Sequence, residues 1–281
     1  EGKNIVKIAI TAGGMNINYF GFQYLGNVEK VVYNLDKFEV TKIKAVDYTR
    51  ASSGIGSQPC QDEDGGRNTT YTKKGAWLVY HVDAKNGGTY NFNARYAGPD
   101  NGIGFDIYVD GARIGGYSGL ENTGGWQTWK TSDAFSMRLS SGVHEIRIYF
   151  TGNEQNVNYF TLTPQIITFE ESGTTKIKAI NYSVGSNNIG SEPCQDEDGG
   201  MITTYTVGGN WFAFDVTVPT SGTYDFTARY AGPYDGIGFD VYVDGDLASS
   251  YSGIAKTGGW QTWKTSEASQ IKLEAGYHRI M

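Results

Sequence analysis

Six tryptophans fall into two matched sets with the same spacing. Trp77, Trp126 and Trp129 are followed 134 positions later by Trp211, Trp260 and Trp263. Trp126 comes directly after Gly124 and Gly125, which free the backbone and leave the surrounding surface open. An indole in that setting offers a flat apolar platform on which a ligand can stack. We therefore take Trp126 and Trp260 as candidate ligand-binding residues.

Trp129 has a different expected role. It shares the alternation of Phe135, Met137 and Leu139, whose side chains are expected to face one side of a strand. We expect Trp129 to pack inward.

Tyrosine and asparagine side chains extend this chemistry toward sugars. Sugar rings stack their C–H faces on aromatic rings, and their hydroxyls need directed amide or carboxylate partners. Tyr71 and Tyr205 follow Gly-Gly loops at equivalent positions. Asparagine pairs begin a strand-like segment at two places, Asn156 with Asn158 and Asn16 with Asn18. For the tyrosines alone, ordinary strand packing is an equal alternative.

The elements that must carry these side chains form a module that occurs twice. Thr123–Ser132 recurs unchanged at Thr257–Ser266, and Arg95–Gly111 matches Arg229–Gly245 at 14 of 17 positions. Within a repeat, short aromatic and β-branched runs alternate with Gly and Asn/Asp clusters, which predicts two tandem β-sandwiches and an all-β protein. The strand-like segments of the first repeat are Trp77–Asp83, Thr89–Ala97, Phe105–Asp110, Phe135–Leu139, His144–Phe150 and Asn156–Leu162.

The repeat also predicts domain boundaries. We expect modules at residues 43–163 and 177–281, with linkers at 26–42 and 164–176. Asn16–Phe20 matches Asn156–Phe160, whereas the second repeat reaches Met281 before its last two strands. The N-terminal strands are thus out of phase with the repeat. Residues 1–25 are expected to complete the second module, within the chain or by a strand swap between copies; a remnant of a preceding module is the alternative.

Composition excludes several partners. The net charge is −7 over 281 residues and no Lys/Arg cluster occurs, which argues against nucleic acid and favours a neutral ligand. No apolar run approaches the ~20 residues of a membrane helix. The first residues do not have the pattern of a signal peptide, as expected also of a mature or excised piece of a longer protein.

Catalytic residue sets are not apparent. Each repeat has one cysteine, Cys60 or Cys194, and the three histidines are isolated. The acidic runs at 62–64 and 196–198 lack a second carboxylate at the ~5–9.5 Å separation of glycosidases. We expect these runs to form solvated turns or to contact ligand hydroxyls at a cleft edge. No enzyme is predicted.

The order of motifs IKAVDY, QDEDGG, TTY, AW, VDG, TGGWQTW and NVNYF resembles the family 6 carbohydrate-binding modules. The resemblance covers both repeats and implies a β-sandwich (jelly-roll, galactose-binding-like) fold. It also implies a cleft among the loops at one end, where an aromatic pair clasps a sugar and an asparagine binds its hydroxyls. Carried over by position, the site residues are Tyr71, Trp126 and Asn158 in the first module and Tyr205, Trp260 and Asn18 in the second.

The resemblance further implies non-catalytic binding of a neutral polysaccharide such as xylan, β-glucan or an agar-type galactan. It implies an attached catalytic domain outside this chain and a secreted or cell-surface location in a bacterium. A structural or adhesive spacer is the second reading, and a glycoside hydrolase or lyase is the third.

One departure from the family pattern concerns a metal. The family's Glu-x-Glu pair, which holds a structural calcium, is replaced by Lys44 with Val46 and by Lys178 with Ile180. Lysine and aliphatic side chains offer no oxygen ligand. We therefore expect no cofactor; a structural calcium at the acidic runs 62–64 and 196–198, whose carboxylates offer oxygen ligands, is the alternative.

Overall fold

The computed structural model of the chain describes residues 31–281. The N-terminal strands expected within residues 1–25, and Asn18 with them, lie outside this range. Within the described range the chain is built from strands, and its one helical element is a 3₁₀ turn at Ala179–Asn181. No helix among residues 31–281 has the length and hydropathy needed to span a membrane.

Thirteen strands make up the first module in the described part of the chain. They are β1 (Val32–Asn34), β2 (Thr41–Lys44), β3 (Arg50–Ala51), β4 (Gly56–Pro59), β5 (Arg67–Thr70), β6 (Trp77–Ala84), β7 (Gly88–Ala97), β8 (Ile103–Val109), β9 (Ala112–Leu120), β10 (Lys130–Thr131), β11 (Phe135–Leu139), β12 (Gly142–Phe150) and β13 (Asn156–Pro164).

These strands form the two sheets of a sandwich. The first sheet has the order β1-β6-β12-β8-β9, with β3 also paired to β6. The second has the order β10-β7-β13-β5-β4, with β11 also on β7 and β2 also on β13. β13 pairs with β7 along its whole length and with β2 and β5 on its other edge. It is therefore the central strand of the second sheet.

The core lies between the sheets because apolar residues alternate along the strands. In β12, His144, Ile146, Ile148 and Phe150 are buried and their neighbours are not. Phe160 of β13 stacks on Phe92 with ring centroids 5.3 Å apart and meets Tyr80 of the first sheet at 5.5 Å. Fully burying one such side chain contributes about 1.5–3 kcal/mol.

Twelve strands follow in the second module. They are β14 (Ile167–Thr168), β15 (Val184–Gly185), β16 (Gly190–Pro193), β17 (Met201–Thr204), β18 (Phe212–Val218), β19 (Gly222–Phe226), β20 (Arg229–Tyr230), β21 (Ile237–Val243), β22 (Asp246–Ile254), β23 (Lys264–Thr265), β24 (Ser269–Leu273) and β25 (Gly276–Ile280). One sheet has the order β14-β18-β25-β21-β22 with β15 on β18, and β16-β17, β19-β24 and β20-β23 form two-stranded sheets.

The second module differs from the first at the centre of one sheet. In the first module β13 lies between β7 and β5, but within residues 31–281 no strand lies between β19 and β17. Phe92 and Phe105 of the first module are fully buried, whereas Phe226 and Phe239 are only partly buried. The second core is thus less enclosed by the described residues.

Two short strands fall in stretches expected to be linkers. β1 pairs in parallel with β6, and β14 pairs in parallel with β18 in the same way. The Tyr33 hydroxyl of β1 donates to the Asp47 carboxylate at 2.7 Å. Strands of two or three residues carry no recognisable alternation, so the sequence pattern did not show them.

Direct contacts join the two modules. Arg279 forms an ion pair with Asp215 of its own module, and its Nη1 donates to the Asn86 carbonyl of the first module at 2.7 Å. Thr89 Oγ1 donates to the Ser183 carbonyl at 3.1 Å. The described modules therefore meet through an interface of hydrogen bonds.

A histidine in each module joins the VDG turn to the turn that precedes the histidine's own strand. His278 Nδ1 lies 2.7 Å from the Asp244 carboxylate, and its Nε2 lies 2.8 Å from the Glu274 carbonyl. His144 makes the equivalent contacts with Asp110 and Ser140. Since both ring nitrogens face oxygen acceptors, the protonated imidazole can donate to both.

This geometry predicts a pH dependence of stability. Burial lowers the pKa of His278, but the hydrogen bonds to Asp244 and Glu274 raise it, and the net pKa lies above its usual 6.5. Because the folded pKa exceeds the unfolded one, the contribution is fully present below about pH 6.5 and is lost as the pH rises through the folded pKa.

We expect the free energy of unfolding to fall as the pH is raised above about 6.5, and His278→Gln to make that fall less steep. Urea titrations at a series of pH values, followed by tryptophan fluorescence, measure the slope. Equal slopes in the two proteins would contradict the expectation.

Candidate functional site

Tyr71 and Tyr205 adopt an uncommon backbone conformation at equivalent positions. Each directly follows a strand, β5 or β17, and their φ angles are 59° and 57°. Bulky residues rarely enter this left-handed region, and such strain concentrates at functional sites. Their side chains are 63% and 78% exposed. Two strained and exposed tyrosines are poorly explained by core packing.

A glycine fixes each tyrosine ring. A Cβ on Gly56 would lie 2.9 Å from Cδ2 of Tyr71, and one on Gly190 would lie 2.5 Å from Cδ2 of Tyr205. Any larger residue would therefore displace the ring. We call the glycine at the start of β4 or β16 the glycine seat, because the tyrosine ring occupies the space that a larger side chain would fill.

The tryptophan loop is held at the same end of the first module. Trp126 is 41% exposed, and Gly124 before it has a φ of 87°. The Asn156 side-chain amide donates to the Trp126 carbonyl at 2.6 Å. Trp129, which was expected to pack inward, is half-buried and is not among the residues that pack against the core of the first module.

The beginning of β13 ties the two aromatic segments together. Thr72, the residue after Tyr71, donates from Oγ1 to the carbonyl of Gln155. Thr69 Oγ1 donates to the Val157 carbonyl at 3.1 Å. With Asn156 bound to the Trp126 loop, consecutive residues of one strand hold both segments. The structure thus brings Tyr71 and Trp126 to one end of the sandwich.

A glutamine of the TGGWQTW motif connects a third loop. The backbone N–H of Gln61 donates to Gln127 Oε1 at 2.9 Å, and Gln127 Nε2 donates to Asn68 Oδ1 at 3.2 Å. Gln261 repeats this contact with the N–H of Gln195 at 3.0 Å. Strand alternation gives no indication of this role, although a glutamine that is unchanged in both motif copies is a signal for it.

Asn158 lies beneath the acidic loop. It is buried at a bulge of β13, and its Nδ2 donates to Asp62 Oδ2 at 3.0 Å. Arg95 binds both oxygens of Asp62, at 2.8 and 2.7 Å. Of the two asparagines, Asn156 contacts the Trp126 loop and Asn158 supports the loop beside it. Contact of Asn158 with a sugar stays a prediction.

Asp62 corrects one expectation. The acidic run at 62–64 was expected to form a solvated turn or to contact ligand hydroxyls. Glu63 and Asp64 are exposed in a turn, but the Asp62 side chain is only 4% exposed. The hydrogen bonds from Arg95 lower the pKa of Asp62 to about 2, with burial opposing them and Asn158 assisting. The paired charge explains why this carboxylate can be buried.

The second module repeats part of this arrangement. Trp260 is 62% exposed and follows Gly258, which has a φ of 100°. Arg229 binds Asp196 as Arg95 binds Asp62. Asn18, the expected amide of this site, lies outside the described residues.

The residues at the family's calcium position do not fit a metal. Lys178 Nζ donates to the carbonyls of Asp198 and Gly199 at 3.2 and 2.7 Å, and Lys176 Nζ lies 2.7 Å from Asp198 Oδ2. In the first module Lys42 pairs with Asp64. Ammonium groups thus take up oxygens that a hard cation would need. Among residues 31–281, no group of three or more His, Cys, Asp or Glu side chains is placed to hold a metal ion.

Two β-sandwiches with exposed aromatic rings on their end loops define a class of ligand-binding modules. The family model for "Carbohydrate binding module (family 6)" matches residues 44–164 and 178–281. The chain therefore belongs to the family 6 carbohydrate-binding modules and holds two of them. These are non-catalytic domains that bind polysaccharide.

Individual relatives are similar over parts of their length. The clotting factor G alpha subunit of Tachypleus tridentatus is 28% identical over 224 residues, 76% of this chain and 33% of that protein. A 1,6-alpha-glucosyltransferase of Sporosarcina globispora is 25% identical over 211 residues, 73% of this chain and 16% of that protein. The chain spans a third or less of the length of these curated relatives.

Solved structures match single modules. A carbohydrate-binding module from Cellvibrio mixtus lichenase 5A, in complex with cellotriose, is 28% identical and covers 44% of this chain and 97% of that one, with a TM-score of 0.41. A β-1,3-glucan-binding module from Bacillus halodurans is 26% identical and covers 47% of this chain and 98% of that one, also with a TM-score of 0.41.

The buried ion pair under the site gives a stability prediction. Asp62→Asn leaves the largely buried Arg95 without its charge partner, so we expect a loss of roughly 3 kcal/mol in the free energy of unfolding. Asp196→Asn is the matched control, because Arg229 is 45% exposed and Arg95 only 19%. Calorimetry of both variants measures the losses. Equal losses would show that burial does not set the strength of this pair.

The lysine contacts give a second prediction. Because ammonium groups already satisfy the carbonyls of Asp198 and Gly199, we expect neither EDTA nor millimolar calcium to change the melting temperature. Lys178→Met should lower it, since the two carbonyls lose their donor. Thermal scans with and without chelator decide the matter, and a rise in melting temperature with calcium would count against the expectation.

Proposed function

We propose that each module binds a neutral polysaccharide through one aromatic pair, Tyr71 with Trp126 and Tyr205 with Trp260. Asn158 and Asn18 are the proposed hydroxyl-binding amides, and Asn156 orients the Trp126 loop. The observation that supports this most is the tyrosine in a left-handed conformation, seated on a glycine and exposed, in both modules. Strain that is repeated with its glycine seat is typical of a binding surface.

The division of labour follows from the chemistry of sugars. The aromatic faces supply affinity by stacking on C–H surfaces, and amide groups supply orientation through the hydroxyls. A net charge of −7 suits a neutral ligand better than an anionic one. Two weak sites on one chain gain up to about 10²–10⁴-fold when both engage one polymer.

The wider role is part of the same proposal. The pair of modules holds a linked catalytic domain on a plant or algal cell-wall glycan, outside a bacterial cell. Structural relatives bind cellotriose or β-1,3-glucan, which supports a β-glucan ligand, with xylan and agar-type galactans as the other candidates. Self-association by strand exchange remains a separate proposal.

Truncating the platforms tests the site. We expect Trp126→Ala and Trp260→Ala each to remove one of two binding sites, and the double variant to lose binding to laminarin, cellulose-derived oligosaccharides and xylan. The melting temperature should change little, because both rings are exposed. Isothermal titration gives the stoichiometry, after an affinity-gel panel has selected the glycan.

Tyr108→Ala is the control, since Tyr108 is a half-buried aromatic residue of β8, in the first sheet of the first module. Unchanged titration by the double tryptophan variant would refute the site. Absence of binding by the wild type to every glycan would favour a structural spacer, and sugar release by the purified protein would favour an enzyme.

A further inference from the structure

The two modules differ at one exposed position beside the tryptophan platform. The segment RYAGPDNG of the first module carries Asp100, and the matching segment RYAGPYDG of the second carries Tyr234. Both side chains are exposed, Tyr234 by 69%. An aromatic residue of that exposure has no part in the core.

Tyr234 lies directly against Trp260. The ring centroids are 5.8 Å apart and the ring planes meet at 80°. The second module therefore presents two aromatic surfaces at nearly a right angle. Among the ring pairs within residues 31–281, none includes Trp126.

Backbone contacts fix Tyr234 relative to the tryptophan loop. Thr257 N–H donates to the Gly232 carbonyl at 2.8 Å, and Gly232 N–H donates to Thr257 Oγ1 at 2.9 Å. Lys256 and Asp235 add an ion pair at 2.8 Å. Tyr234 lies between these attachment points, so its position beside Trp260 does not depend on the ring contact alone.

The first module uses the same clamp. Thr123 N–H donates to the Gly98 carbonyl at 2.8 Å, and Gly98 N–H donates to Thr123 Oγ1 at 2.9 Å. The clamp joins Gly98, two residues before Asp100, to Thr123, three residues before Trp126, as the second clamp joins the segments of Tyr234 and Trp260. The clamp is the same in both modules, and the side chain that follows it differs, Asp100 in the first and Tyr234 in the second.

We propose that Tyr234 is a sugar-binding residue that extends the platform of the second module by one further ring of a neutral oligosaccharide. This rests on the proposed function and deepens it, because it makes the two modules unequal. A second aromatic face stacks a second sugar, whereas Asp100 offers only a hydrogen-bond acceptor at that place. The second module prefers longer chains, and the first recognises a shorter stretch.

Reciprocal exchange of the two residues tests the proposal. Tyr234→Asp is made in a Trp126→Ala background, so that only the second module binds, and Asp100→Tyr in a Trp260→Ala background. Each protein is titrated with cellobiose and cellohexaose, laminaribiose and laminarihexaose, and xylobiose and xylohexaose. The measured quantity is the ratio of hexasaccharide to disaccharide affinity.

We expect Tyr234→Asp to lower that ratio about tenfold and Asp100→Tyr to raise it. Tyr234→Phe keeps the ring and should keep the ratio. Unchanged ratios in both exchanged variants would overturn the proposal. So would a change in sedimentation without glycan together with unchanged titrations, since the ring pair would then be a self-association surface.

A separate experiment shows whether the proposed polysaccharide binding itself is wrong. The Trp260→Ala and Trp126→Ala double variant must lose binding if the aromatic sites are correct. If it still binds, the proposed function fails whatever the exchanges at positions 100 and 234 show. If it loses binding and the ratios do not move, only the role of Tyr234 fails.

Discussion

Gln155, just before β13, and Asn156 and Val157, its first two residues, hold the Tyr71 and Trp126 segments of the first module together. Gln155 accepts a hydrogen bond from the residue after Tyr71, Asn156 donates to the Trp126 loop, and Val157 accepts from the strand that precedes Tyr71. Buried groups that lose such partners cost about 1–3 kcal/mol each. Because Phe160 of β13 packs against Tyr80 of the first sheet, packing between the sheets holds β13 and the loops bonded to it.

The second module separates the local devices from those that depend on this strand. Within the described residues it has no counterpart of β13, yet Tyr205 keeps its left-handed conformation and its glycine seat. Gln261 and the Arg229–Asp196 pair also persist. Trp260 is 62% exposed and Trp126 is 41% exposed. Short-range sequence thus shapes each loop, and the central strand joins the loops into one site.

Strand alternation and turn residues were enough to predict the sandwich fold and the main strands from Trp77 onward. They missed β9, because Gly115 and Gly116 are poor strand formers. A glycine is needed at position 115 because a Cβ there would lie 2.4 Å from the Phe135 ring. The burial of Asp62 was also missed, since its partner Arg95 is 33 residues away. Local patterns report exposure and period, whereas ion pairs between distant strands depend on the assembled sheets.

Strain at Tyr71 costs of the order of 1–2 kcal/mol, and the exposed indoles give up the stability that burial would bring. A module can tolerate these losses of stability when the residues that form its core are different from the residues that form its end loops. The clamps between Gly98 and Thr123 and between Gly232 and Thr257 have the same geometry. The residue two places beyond each clamp glycine can therefore change from a carboxylate to an aromatic ring without disturbing the fold. Duplication of such a module gives the chain two copies of one scaffold in which this position can differ.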